Sequence, residues 1–340
     1  MNMKNKLSYL KEKQKEFLFS GAFYGQKGKE ILKGCNGFAN LSEKIDNRCN
    51  TRFAIASGSK IFTAVAICML VEAGDLSFDS KLTDVIDVDF PYVDENITVH
   101  HLLTHTSGVY DYFNEQIMED FEALWNHRPM YHIRSPKDFL SMFQYKEMQD
   151  NFNRSFQYNN SGYILLGLIV EYVAKTSFFE FVEEHIFQKV GMCNSGYFEL
   201  DCLPDRTALG YILKEDGTWK TNIYALPAKG GPDGGAYVTA GDMVRFWQAL
   251  TNDELLSKEM TEALLEPQEV VVAEDNIYYG YCGYIELDDE KQVVKFIQMG
   301  YDPGVNFRAI YHPRSDMIIV VCSNQSEGAY DMLKEIENIL

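Results

Sequence analysis

Long apolar runs, paired cysteines and basic charge are all scarce in this 340-residue chain. The longest apolar stretches, Ile61–Val71 and Tyr163–Val170, fall short of the roughly 20 residues that a membrane helix needs, so no membrane partner is expected. Lys and Arg number 31 against 50 Asp and Glu, a formal net charge of −19. Proteins that grip nucleic acid cluster basic side chains, and this balance excludes that class. The seven cysteines, at 35, 49, 68, 193, 202, 282 and 322, are odd in number and include no Cys-x-x-Cys pair. They read as reduced, mostly buried thiols of a cytoplasmic protein, not as a disulfide framework. The Lys-rich opening residues never reach an apolar signal core, which again sets the cytoplasm as the expected location. No internal repeat or low-complexity segment is visible.

What remains is ordinary globular material, 46% hydrophobic and 24% charged, long enough for roughly two domains or one domain with an insertion. An amphipathic pattern over residues 1–19 predicts an opening helix, and Lys27-Gly28-Lys29 predicts a hairpin turn between short strands. After a strand-like run at 52–56, Ser57-Gly58-Ser59-Lys60 opens an apolar helix that Gly74 ends. Helical patterns follow at 97–104, 115–126, 136–147, 161–175 and 178–190, then at 241–250 and 257–265. Strands are expected at 278–286, 292–299, 305–312 and 317–323, with a closing helix at 329–340. The order of strands, helices and strands predicts a sheet domain built from residues 1–85 and 231–340, with a mostly helical region, 86–230, between them.

Three clusters could carry chemistry. In Ser57-x-x-Lys60 the two side chains share a helix face at a helix N-terminus, where a lysine of depressed pKa can take the serine proton. The spacing is cheap, since Ser8…Lys11 shows it too. Only Ser57, however, stands between a strand and an apolar helix, and the bland alternative is an N-cap serine beside a solvated lysine. Tyr158-Asn159-Asn160 precedes a second apolar helix; Tyr158 could act as acid or base and Asn160 could donate to a substrate carbonyl. Tyr112-Phe113-Asn114 matches the same pattern, so alone it reads as loop packing. His100, His101 and His105 read as structural hydrogen-bonding residues, because no His-Glu-x-x-His pattern accompanies them. The glycine cluster 230–235 lacks a following Gly-Lys-Ser/Thr and reads as a tight loop passing close to something.

In combination and order these pieces resemble the serine β-lactamase and penicillin-binding-protein superfamily, in its branch of class C β-lactamases, D-alanyl-D-alanine carboxypeptidases and esterases. The likeness runs from about Gly21 to Asn324. It rests on Phe53–Lys60, on Thr98–Gly108, on Tyr158–Gly167 and on Gly234–Phe246. The resemblance implies an α/β (α+β) fold, an antiparallel sheet flanked by helices, with the site at the start of the Ser57 helix. It implies Ser57 as nucleophile, Lys60 holding it and sharing its proton, Tyr158 as acid/base and Asn160 positioning the substrate. Backbone N–H groups of Ser57 and Tyr301 would form the oxyanion hole. No metal or organic cofactor is implied, and the partner is a small-molecule or peptide substrate.

One motif departs from the family. Where members carry Lys or His, a small residue and Gly, this chain has Gln298-Met299-Gly300. Gln298, expected at the substrate with Gly300, brings no charge, so weak β-lactam turnover is expected. The alternative reading is a catalytically weakened penicillin-binding or ligand-sensing relative.

Overall fold

The computed structural model describes residues 1–340. A helix α1 (Met3–Glu16) leads into the hairpin β1 (Gly21–Lys27) and β2 (Glu30–Asn36). The buried helices α2 (Lys60–Ala73) and α3 (Asn160–Ala174) come next, then α4 (Ala240–Thr251). Six strands follow: β3 (Glu269–Val272), β4 (Ile277–Tyr279), β5 (Tyr284–Leu287), β6 (Val293–Asp302), β7 (Val305–His312) and β8 (Met317–Ser323). Helix α5 (Ala329–Ile339) closes the chain.

The eight strands form one antiparallel sheet in the order β2-β1-β8-β7-β6-β5-β4-β3. Both chain ends therefore meet one strand in from the β2 edge, where Gly21 pairs with Ser323 and Lys27 with Met317. All seven residues of β8 are buried, which tells that both faces of the sheet are covered. Successive side chains alternate between them. Ile319 and Val321 pack with Leu10, Met332 and Ile336 of the terminal helices, while Ile318, Val320 and Cys322 join the main core. That core takes in α2 and α3 almost entirely.

Helix α2 is apolar all round, and residues 60–68 are all buried, as such a helix must be. With the turn before it, Ala56–Ala73 is long and apolar enough to cross a membrane, but 72% of it lies inside the protein. Gly74 caps the helix at φ 82°, the left-handed geometry that favours glycine.

Two local expectations fail. Residues 115–126 do not form a regular helix, only a short 3-10 turn at Phe121–Trp125. There Asn114 Oδ1 accepts from the Gln116 N–H at 2.9 Å and Asp120 Oδ1 from the Glu122 N–H at 2.9 Å, so side chains compete with helical bonding. The strand expected at 278–286 is split into β4 and β5 by a turn in which the Gly280 N–H donates to Gly283 O at 2.9 Å.

Strand β5 ends its pairing with β6 at Ile297, while β6 continues beside β7 to Asp302. Residues 298–302 thus keep one backbone edge free of the sheet, and this edge lies against the Ser57 turn. A Cβ at Gly300 would stand 2.0 Å from Ile55 O and 2.8 Å from the Gly58 nitrogen, so only glycine permits the approach. Gly300→Ala is expected to cost about 1–3 kcal/mol and to lower activity with it. Thermal unfolding and ester turnover check this; an unchanged Tm would show that the edge is not held so closely.

Candidate active site

The N-terminal ends of α2 and α3 converge at one point. Ser57 lies in a 3-10 turn, Ala56–Ser59, that runs directly into α2. Ala56 has φ 46°, a costly conformation for a residue with a Cβ, which the surroundings impose. Its carbonyl accepts from the Gly235 N–H at 3.1 Å and from Ser59 Oγ at 2.8 Å, and Ser59 Oγ accepts from the Ala236 N–H at 2.9 Å. The glycine cluster is the clamp that holds the turn, and what it passes close to is Ser57.

Lys60 is buried one helical turn on. Its Nζ donates to Ser57 Oγ at 3.0 Å, to Asn160 Oδ1 at 2.9 Å and to Asp233 O at 2.6 Å. The ammonium also sits 4.9 Å from the Tyr158 ring centroid and 5.4 Å from that of Tyr163. Burial lowers the Lys60 pKa from its ordinary value, while Asp233, Glu115, Asp111 and Asp302 oppose the shift. The amine is therefore moved toward the neutral form that can accept a proton.

Tyr158 stands two residues before α3 and shares the cavity wall with Ser57. Burial and then Glu115 push its pKa well above the ordinary phenol value, which favours the protonated phenol. Its ring lies on His105, centroids 4.6 Å apart. His105 Nδ1 accepts from the Asn159 N–H at 3.0 Å. Burial holds this imidazole well below its usual pKa, and it serves as a neutral support. His100 Nδ1 meets Tyr281 OH at 2.9 Å and His101 Nδ1 meets Thr98 Oγ1 at 2.9 Å. Each of the three histidines has a separate hydrogen-bonding partner.

Asn160 lines the cavity, but its amide is committed. Its NH2 group donates to Phe113 O at 3.1 Å and to Asp111 Oδ2 at 3.4 Å, leaving Oδ1 for Lys60. The side chain expected to donate to substrate holds the lysine instead. Asp111 Oδ1 accepts from the N–H groups of Asn160 at 3.0 Å and Ser161 at 3.1 Å, capping α3. Burial raises its carboxyl to about 7 against these bonds.

Gln298 is not brought to the cavity. It is buried, and its amide donates to Cys282 O. Alternation along β6 turns it inward, and Gly283 leaves the space it fills. Gln298→Lys is accordingly expected to bury an unpaired charge and destabilise the protein. A gain in cephalosporin turnover without a drop in Tm would contradict this.

A cavity of about 670 Å³ opens over Ser57, with Gly300 and the exposed Tyr301 in its wall. Sequence reasoning passed over most of its charged lining: Glu115, Asp120, Asp233 and Asp302, with Arg308 as the cation. Asp233 stands in the glycine cluster and could have been singled out there, as a lone acid among glycines. Asp302 and Arg308 lie on strands and gave no such signal.

The Beta-lactamase family model matches residues 20–340. The chain is 52% identical to a penicillin-binding protein from Bacillus halodurans of known crystal structure, with TM-score 0.93 over 97% of this chain and 100% of that one. It is 30% identical over 341 residues to a penicillin-binding protein of Bacillus subtilis, covering 95% of this chain and 72% of the relative. The octameric penicillin-binding protein homologue from Pyrococcus abyssi is similar at 25% identity and TM-score 0.83, over 98% of this chain and 76% of the other. A family match that begins before β1 and runs to the last residue, on an antiparallel sheet flanked by helices, leaves one conclusion: the chain belongs to the Beta-lactamase family and is a serine hydrolase of the β-lactamase and penicillin-binding-protein type.

Proposed function

We propose that the protein hydrolyses small amides or esters carrying a free ammonium group, through an acyl-enzyme on Ser57. Lys60 takes the hydroxyl proton as Ser57 Oγ bonds to the acyl carbon. The oxyanion is met by the N–H groups of Ser57 and Tyr301, the latter on the free edge of β6. Tyr158 gives its proton to the leaving group and regains one from the Lys60 ammonium. Water then attacks the acyl-enzyme along the same path in reverse.

The observation that carries the substrate class is the charge of the wall. Six carboxylates, Glu115, Glu119, Asp120, Glu122, Asp233 and Asp302, line the cavity against the single Arg308. Glu122 is neutralised by Lys220 at 2.6 Å and Asp233 is tied to Tyr112 OH. Neither Glu115 nor Asp302 has an ion-pair partner in the protein, and their carboxylates accept no hydrogen bond from it. Burial, and then repulsion from Asp233, raise the Asp302 carboxyl to about 8. A substrate ammonium would offset both causes by pairing with the ionised carboxylate.

The test compares D-alanine p-nitroanilide with its N-acetyl derivative. A preference of about tenfold or more in kcat/KM is expected for the free amine, corresponding to about 1.4 kcal/mol. Asp302→Asn and Glu115→Gln should each erode it. Equal turnover of both compounds would overturn the reading.

Asp302→Asn should also stabilise the fold. A carboxyl whose pKa is raised on folding binds its proton more tightly in the native state, so its contribution falls as pH rises from about 4 to about 8. The variant should therefore gain Tm over the wild type progressively across that window. A constant difference from pH 4 to 8 would place the effect elsewhere.

A second reading, stable covalent binding of penicillins, is favoured by Arg308. Its guanidinium is unpaired, its Nε is buried without a partner, and it could meet a substrate carboxylate.

A further inference from the structure

We propose that Cys35 and Cys49 are a reactive thiol pair that closes to a disulfide by exchange with a small disulfide such as oxidised glutathione. The pair lies apart from the catalytic residues. Cys35 is on β2, opposite Ala22 of β1. Past its end the chain turns into a small antiparallel pair, Phe38–Asn40 with Ile45–Asp46, in which Phe38 faces Asp46. Counting back along that register sets Gly37 opposite Asn47, Asn36 opposite Arg48 and Cys35 opposite Cys49.

The hydrogen bonds follow this count. The Asn47 N–H donates to Gly37 O at 2.9 Å and Asn47 Nδ2 donates to Asn36 O at 2.9 Å. Beyond them a turn is closed by the Thr51 N–H on Arg48 O at 2.9 Å and the Arg48 N–H on Thr51 Oγ1 at 2.8 Å. This turn carries Cys49, whose thiol and backbone N–H both approach the Cys35 sulfur.

The two thiols have unequal roles. Cys49 is exposed and Cys35 is partly buried. Burial, and then the Cys49 thiol, push the Cys35 thiol up to about 11, so Cys35 is mostly protonated near neutral pH. Cys49 is therefore the attacking sulfur. Its thiolate displaces one glutathione thiolate and forms a mixed disulfide; Cys35, losing its proton to solvent, then attacks the Cys49 sulfur and expels the second. Two protein thiols and one glutathione disulfide give one protein disulfide and two glutathione thiols. The product staples β2 to the segment that leads into the Ser57 turn.

The exposed Cys193 and Cys202 serve as controls without a facing thiol. The native full-length protein is treated with oxidised glutathione at pH 8, alkylated without reduction, digested with trypsin and weighed. Cleavage after Lys33, Lys44, Arg48 and Arg52 isolates the two cysteines on separate peptides. Residues 34–44 and 49–52 should appear joined, two hydrogens lighter than their sum, and should separate on reduction. Cys193 and Cys202 should carry simple glutathione adducts. In Cys35→Ser the adduct on Cys49 should persist, and in Cys49→Ser residue 35 should stay unmodified. The proposal fails if wild-type Cys49 holds glutathione to the same extent as in Cys35→Ser, or if both thiols remain open to alkylation.

Discussion

Ser57→Ala is expected to abolish covalent labelling by a fluorophosphonate and to lower ester turnover by roughly 10⁶-fold, the scale seen when a serine nucleophile is lost. Ser57 alone combines the helix N-terminus, the Lys60 ammonium at 3.0 Å and a place in the cavity wall. Ser59 is two residues on but fully buried, its hydroxyl spent on Ala56 O and the Ala236 N–H. Ser161 is buried beside Asp111. Intact mass and peptide mapping give the answer. Label on Ser59 or Ser161, or label that survives Ser57→Ala, would remove the nucleophile from this mechanism. Ser8→Ala should change nothing, because the opening helix that carries it lies on the far face of the sheet.

Loss of Lys60 is expected to be the next largest and harder to repair. Lys60→Met should lower kcat by roughly 10²–10⁴-fold, the usual worth of a positioned base. Lys60→Arg should not restore activity, since a guanidinium stays protonated and cannot take the Ser57 proton. Because Lys60 and Tyr158 pass one proton between them, Tyr158→Phe in the Lys60→Met background should add little. Additive losses in ΔΔG‡ would show separate proton paths.

The pH profile supplies the sign. The proposed mechanism needs neutral Lys60, so the rate should rise with pH along a limb centred below the ordinary lysine value, as burial directs. Asp302 is among the acids that hold the ammonium in place. Asp302→Asn should move that limb to lower pH, and a shift to higher pH would reverse the assignment.

Much of this was legible in the chain. Apolar residues on every side of α2 and α3 require burial, whatever surrounds them. The serine and lysine three residues apart must share a face, and β1 from early in the chain pairs with β8 from late in it. Strands β7 and β8 begin and end where their apolar runs do. The helix expected at 115–126 was not legible as a loop, because the competing side-chain bonds of Asn114 and Asp120 leave no trace in periodicity.

The sequence by itself determined the family and singled out Ser57 and Lys60 as candidates, since these rest on local spacing and on motifs in order. Only the tertiary structure decided which atoms meet. Gln298 sits at the family's cationic position, yet the pleat of β6 and the space at Gly283 turn its amide to Cys282 O. Asn160 keeps its place in the motif, yet Phe113 O and Asp111 claim its donors. Asp233 and Asp302 come from segments about 70 residues apart and meet over Ser57. Burial raises both carboxyls, and repulsion from Asp233 adds to it at Asp302; those are properties of the folded neighbourhood that no single segment of chain contains.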